Sequence, residues 1–197
     1  VNTPPQDRAT RERALLEALE RRILVLDGAT GTAFQAANLG PEDFGGEELE
    51  GCNEILVATR PDVVLDVHRS YLEAGADIVE TNTFGGTPLV LAEYGLQERA
   101  LELNRRAAEL ARQACAEAGP ERFVCGSMGP TTKAISVTGG VTFEQLRDDY
   151  FTQALGLASG GADYLLLETC QDTRNVKAGL IGIERAFEQL GWRLPVA

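Results

Sequence analysis

Residues 23–32 read ILVLDGATGT. Four apolar residues run into Asp27, and a turn containing Gly28 and Gly31 follows at once. A short apolar run that ends in an acid and a flexible loop is the pattern of a strand whose C-terminal end opens on a site. Branched and leucine side chains occupy both sides of the alternation over residues 23–26, which predicts burial on both faces. The two glycines allow a sharp turn and a close approach of backbone to ligand. Asp27 is then a strand-end carboxylate beside exposed amide N–H groups.

Upstream, residues 8–22 are predicted helical, with Leu15, Leu16 and Leu19 on one stripe and charges elsewhere. Preceding the first strand, that helix either closes the bottom of a barrel or has no particular partner. Residues 1–7, with Pro4 and Pro5, read as a loose tail. Downstream, residues 33–60 carry GPEDFGG and GCNE and predict a long loop with at most a short helical piece. A helix then runs from Pro61 to Gly75, with Val64, Val67, His68 and Tyr71 on one face, so His68 reads as a packed residue at the core edge. Further strands are predicted at 76–84, 122–126 and 162–168, and a fifth begins at 194–197. Helices are predicted at 88–94, 97–118, 143–159 and 172–190, the last with Val176, Leu180, Ile183, Phe187 and Leu190 inward.

Strand and helix alternate, which argues for parallel strands joined by helical crossovers. GADIVET (75–81) is echoed by GADYLLLET (161–169), each a helix end, a strand and a terminal acid. Loops after strands are long or glycine-rich, and loops after helices are short. This asymmetry predicts an α/β fold of the (β/α)8 TIM-barrel type, with its site at the C-terminal strand ends. A doubly wound sheet is disfavoured, since neither G-x-G-x-x-G nor a P-loop follows the first strand. Only about the first five strands of such a barrel are present, and a fifth strand ending in Ala197 would leave an open edge. The chain is therefore expected to be the first part of a longer one, with residues 1–22 as tail and helix and 23–197 as an incomplete barrel domain.

The 197 residues carry a net charge of −12, which disfavours a nucleic-acid partner. No apolar run approaches the roughly 20 residues of a membrane span, and residues 1–16 lack the long apolar core expected of a secretory signal. The four cysteines, Cys52, Cys115, Cys125 and Cys170, form no C-x-x-C pair and read as reduced thiols of a cytoplasmic protein. His68 is the lone histidine, which excludes a mechanism that needs two.

On a barrel, Asp27, Glu80 and Glu168 end different strands on one face, with Asn82, Thr83 and Met128–Gly129 on the adjoining loops. Such acids suit a general acid and base, a divalent metal, or a clamp for a ligand ammonium. Carboxylates beside amide donors suit a zwitterion such as a free amino acid. Each acid taken alone is as readily explained as a cap on its own loop.

LDGATGT, GCNE, VHRSYLEAGADIVETNTF and MGPTTKAISVTGG together resemble the homocysteine S-methyltransferase family, from about residue 23 to 197. GCNE and GPTTKAISVTGG lean towards its cobalamin-dependent branch, the methionine synthases, rather than the betaine and S-methylmethionine enzymes. The resemblance implies a (β/α)8 barrel that binds homocysteine and zinc. Asp27 and Glu168 would then meet the homocysteine ammonium, and the backbone of Gly28 and Ala29 its carboxylate. Glu80, Asn82, Thr83, Met128 and Gly129 would line the pocket. Zinc would lower the pKa of the substrate thiol, and the thiolate would take the methyl group of methylcobalamin. Cobalamin-binding and folate-binding modules of the same polypeptide would be its partners. The family's zinc cysteines are expected beyond Ala197, none of the four cysteines here is assigned to zinc, and this stretch alone is expected to be catalytically silent. The alternatives are a homocysteine methyltransferase with another donor, a different carboxylate-based barrel enzyme, and a non-catalytic module that reuses the half-barrel.

Overall fold

The structure is a computed structural model and describes residues 8–197, so the reading of residues 1–7 as a tail lies outside the described residues. Its elements in chain order are α1 (Arg8–Arg21), α2 (Thr30–Ala36), α3 (Pro41–Phe44), α4 (Leu56–Thr59), α5 (Pro61–Glu73), β1 (Ile78–Glu80), α6 (Pro88–Leu91), α7 (Ala100–Ala118), β2 (Phe123–Met128), α8 (Phe143–Gly160), β3 (Tyr164–Leu167) and α9 (Thr173–Leu190). The three strands form one parallel sheet in the order β1-β2-β3. Ile78 pairs with Phe123, and Cys125 with Tyr164. Two further segments join in parallel by single bridges, Leu26 beside Ile78 and Val196 beside Leu165. Neighbours in the sheet are therefore neighbours in sequence, without the order reversal of a doubly wound sheet.

Alternation along the strands separates two cores. On one face Leu26, Ile78, Phe123, Cys125, Tyr164 and Leu166 gather against Leu15 and Ala18 of α1. The first helix thus covers one end of this face through Leu15 and Ala18, whereas Leu16 and Leu19 of its predicted stripe are exposed. On the other face Val79, Val124, Met128 and Leu165 pack with α7, α8 and α9. The helices approach closely: a Cβ on Gly182 of α9 would stand 2.5 Å from the Arg147 carbonyl of α8. Thr142 caps α8 through a capping box with Gln145, and Asp172 caps α9.

Several expectations are corrected. Residues 23–26 are not buried on both faces: Ile23 is 89% exposed and Val25 57% exposed, because this segment is the edge of the sheet. Residues 33–60 are not a loop. They fold into α2, α3, α4 and two 3₁₀ turns around Phe34, Phe44, Cys52, Ile55, Leu56 and Val57, which pack on α5 and α7. The strand predicted at 76–84 pairs only over Ile78–Glu80, since the chain curls at Thr81, whose carbonyl accepts the Thr83 N–H at 2.8 Å. In α9 Ile183, Phe187 and Leu190 are buried as predicted, together with Asn175, Ala178, Gly179, Gly182 and Ala186, while Leu180 is exposed and Val176 only half-buried. Small residues, not the leucine, meet α8 at the close crossing.

The echoed GAD motifs build one device twice. Asp77 donates its N–H to the Val25 carbonyl at 2.8 Å and accepts the Val25 N–H at 2.9 Å. Asp163 does the same with Val124, at 2.9 and 2.7 Å. Each carboxylate is also held by arginines: Asp77 by Arg22 at two points (2.7 and 2.8 Å) with Arg122 at 3.5 Å, and Asp163 by Arg11 at two points (2.8 and 2.7 Å) with Arg112. The backbone bonds lock each strand's start to the strand before it, and the bidentate pairs with Arg22 and Arg11 fasten it to the end of α1 and to α1 itself.

Candidate functional site

The opposite, C-terminal ends of the strands surround a cavity of about 290 Å³. One wall is Ala29, Thr30 and Gly31, where the chain enters α2, together with Asn53 and Glu54. The rest is Glu80, the turn from Thr81 to Phe84, and Ser127 at the end of β2. Ala29 sits in the left-handed region at φ 51°, and so does Thr169, directly after Glu168, at φ 52°. Non-glycine residues in that region store strain, which gathers at functional loops.

Of the predicted site residues, Ala29, Glu80, Asn82 and Thr83 line the cavity. Asp27 stands behind them, accepting the Glu80 N–H on Oδ1 at 2.8 Å, with its Oδ2 buried and unpartnered. Glu168 accepts the Ser127 hydroxyl at 2.5 Å. Gly129 packs on Phe84, whose carbonyl accepts its N–H at 3.2 Å. Gly28 is not among the lining residues, and Met128 points the other way, fully buried among the helices. Its period-2 position puts Met128 on the face of Val124, not of Ser127.

The acids perturb one another. Burial pushes the Asp27 carboxyl up to about 7 against the N–H of Glu80, and the charge of Glu168 adds to the rise. Burial also pushes Glu80 up to about 7, with the charges of Glu168 and Asp27 behind it. Neither rise is offset by a cation. A site that gathers carboxylates, buries them and leaves them without a counter-charge favours a cationic ligand.

Sequence reasoning missed Asn53, Glu54, Thr81, Phe84 and Ser127 as wall residues. Glu54 accepts the Gly85 N–H at 2.7 Å, and burial raises its pKa. Asn53 offers its carbonyl to the Asn82 side chain at 2.7 Å. The signal was GCNE itself, an acid and an amide beside a buried cysteine between glycine turns. Ser127 was lost by ending the third predicted strand at Gly126, one residue before the next inward position.

The cysteines lie apart. Cys52, Cys115 and Cys125 are buried in three different apolar clusters, and Cys170 is exposed. Burial pushes Cys52 up to about 11 and Cys115 up to about 12, away from the thiolate a metal requires. Among the described residues no group of three or more His, Cys, Asp or Glu side chains is arranged to hold a metal ion. The residues present do not fit a zinc site. His68 is buried with both ring nitrogens unpartnered, and burial lowers its pKa to about 4. It is a core residue, as its helical face predicted.

A family model described as homocysteine S-methyltransferase matches residues 24–196. The methionine synthases of Mycobacterium tuberculosis and Mycobacterium leprae are each 47% identical over 185 residues, covering 92% of this chain. The chain spans 15% of the length of those relatives. Among solved structures, the homocysteine methyltransferase MmuM from Escherichia coli aligns in its metallated form with a TM-score of 0.72 at 26% identity, covering 93% of this chain and 65% of that one. Its oxidized form aligns with a TM-score of 0.71 at 26% identity, covering 94% and 64%. A match over nearly the whole chain, on a sheet whose strand ends build an acidic cavity, places the protein: the chain belongs to the homocysteine S-methyltransferase family.

Proposed function

We propose that this chain supplies the amino-acid half of a homocysteine site in a methionine synthase, on the first strands of a (β/α)8 barrel. The observation that carries the reading is the cluster of Asp27, Glu80 and Glu168 at neighbouring strand ends, half-buried and without a cation, with Glu80 on the cavity wall, Asp27 behind it and Glu168 held by the wall residue Ser127. The homocysteine ammonium supplies the missing charge. Asp27 and Glu168 are its partners, with Glu80 beside them. The backbone at Ala29, where the chain turns into α2 after Gly28, faces the substrate carboxylate, Asn82 and Thr83 shape the pocket, and Gly129 backs it by packing on Phe84.

In this reading the chain's own residues bind and orient, and no step of bond making falls to them. Once the ammonium enters, Asp27 and Glu80 give up the protons that burial lets them keep near neutral pH, and the ion pairs form in a cavity with little water. The substrate's far end, with its thiol, is then held in one direction. Zinc and methylcobalamin belong to the proposal as groups held outside this chain, and cobalamin-binding and folate-binding modules of the natural polypeptide are its partners. A cytoplasmic setting goes with this chemistry, and no helix among the described residues is long and apolar enough to cross a membrane.

Titration calorimetry of homocysteine on the natural polypeptide tests the reading. Asp27→Asn and Glu168→Gln are each expected to weaken binding by about 1–3 kcal/mol, the range for a lost charge-assisted hydrogen bond. Affinity unchanged in both variants would remove the ammonium clamp.

A further inference from the structure

Two carboxamides behind the cavity are fully buried, Asn104 on α7 and Gln153 on α8. Each crosses from the helical layer to the backbone of the strand ends. Gln153 Nε2 donates to the Thr83 carbonyl at 2.7 Å and reaches the Ser127 carbonyl at 3.5 Å. Asn104 Nδ2 donates to the Gly86 carbonyl and to the Ala100 carbonyl, both at 2.7 Å. The chain of bonds continues to the cavity. The Thr83 hydroxyl donates to the Ser127 carbonyl at 2.7 Å, the Ser127 N–H donates to Thr81 Oγ1 at 3.0 Å, and the Ser127 hydroxyl holds Glu168. The ends of β1, β2 and β3 are thus tied in series, starting from a helix that touches no part of the cavity.

A stabilising role alone explains this arrangement poorly. Asn104 Oδ1 and Gln153 Oε1 are both buried and unpartnered. An unmade bond of that kind is destabilising, and an apolar side chain of the same size would avoid it. The two amides also crowd the turn they hold. A Cβ at Gly86 would stand 2.5 Å from Asn104 Oδ1, 2.9 Å from the Thr83 carbonyl and 3.0 Å from Gln153 Nε2. Only glycine fits, and the turn has little freedom. Groups that are unfavourable for stability and aimed at the walls of a site are the mark of pre-organisation.

We propose that Gln153, with Asn104 beside it, is a positioning residue for the amino-acid substrate, fixing Thr83 and Ser127 and through Ser127 the carboxylate of Glu168. This rests on the reading of the cavity as a homocysteine site. The variant Gln153→Met keeps the length and removes both the donor and the unpaired oxygen. In the natural polypeptide it is expected to leave the unfolding midpoint unchanged or higher, while the KM for homocysteine rises about tenfold and kcat at saturation stays within about twofold. Lost orientation in the bound ground state has that signature. Ser127→Ala is expected to raise KM to a similar degree, and the double variant by no more than the larger single change, because both cut one series of bonds. Unaltered KM in Gln153→Met, or effects that multiply in the double variant, would overturn the proposal. Should Gln153→Met fail to fold, Thr83→Val cuts the next bond of the series and is judged by the same KM and the same cycle with Ser127→Ala. Failure of the unmodified protein to bind homocysteine would instead strike at the reading of the cavity.

Discussion

The sheet carries buried acids at both ends, and the two ends treat them in opposite ways. At the N-terminal end Asp77 and Asp163 are each clasped by arginines and by a backbone N–H of the neighbouring strand. The Arg22 side chain, foremost, holds the Asp77 carboxyl below its ordinary range. At the C-terminal end Asp27 and Glu80 have no cation, and burial with mutual repulsion raises both to about 7. All four are carboxylates, and the unpaired ones are the less enclosed, half-buried where Asp77 and Asp163 are buried; what divides them is the partner. Acids whose charge is matched within the fold hold strands together. Acids whose charge is left unmatched, at the end where the loops open, wait for a cation that the fold does not contain. With the proposed reading of the cavity, stability and binding fall to opposite ends of the same strands, the division that a barrel fold would make.

The comparison breaks most sharply at Asp163. Its carboxylate is 3% exposed, and the partner guanidiniums Arg11 and Arg112 are 20% and 22% exposed. Asp163→Ala leaves those cations facing a hole and the Val124 N–H without its acceptor. A loss of about 3–5 kcal/mol in urea unfolding is expected, with homocysteine affinity unchanged in the molecules that remain folded. A loss below about 1 kcal/mol would show that the two ends are not divided in this way.

Asp27→Asn is expected to act with the other sign. The amide keeps an acceptor for the Glu80 N–H and carries no charge to bury. The native carboxyl titrates near 7 and the unfolded one near 3.9. Between those values the native state holds a proton that the unfolded state has released, so stability falls as pH rises from about 4 to about 7 and the full penalty stands above 7. The variant should therefore gain about 1–3 kcal/mol at pH 8 and nothing near pH 4, read from thermal unfolding across that range. A gain that does not depend on pH would mean that the charge is not what the site stores. Binding runs the opposite way: homocysteine affinity of the unmodified protein should strengthen as pH passes 7, because both acids then carry the charge the ammonium meets.

The division between the ends was only half legible in the sequence. The strand-end acids were visible because each closes an apolar run before a turn, and the GAD echo fixed their equivalence. The same echo contains Asp77 and Asp163, yet their role was not, since their arginines stand far off in sequence: Arg11 lies 152 residues from Asp163. The long helices follow from a period near 3.6, and Ile183, Phe187 and Leu190 of α9 lie inward accordingly, but Leu180 does not, because Gly179 and Gly182 permit a close crossing that apolar periodicity does not report. Residues 33–60 were illegible as structure because their helical pieces are too short for any period to show. Their order comes from a cluster assembled across α5 and α7. Asn104 and Gln153 gave no signal, being two amides in amphipathic helices, and only the fold shows what they touch.

The smallest expected effect tests whether the paired end depends on its geometry or merely on its charge. Arg22 meets Asp77 with two bonds, while Arg122 meets it at a single 3.5 Å contact. Bidentate guanidinium pairs are strong because both oxygens of the carboxylate are used at once, and a lone long contact adds mostly screened Coulomb attraction. Arg122→Gln is therefore expected to lower stability by no more than about 0.5 kcal/mol, an effect that 0.5 M salt should erase. Arg22→Gln removes the paired bonds, and a clear share of its larger loss should survive the salt. Equal losses in the two variants, both erased by salt, would make the N-terminal acids simple charge balances, and the contrast with Asp27 would then rest on burial alone.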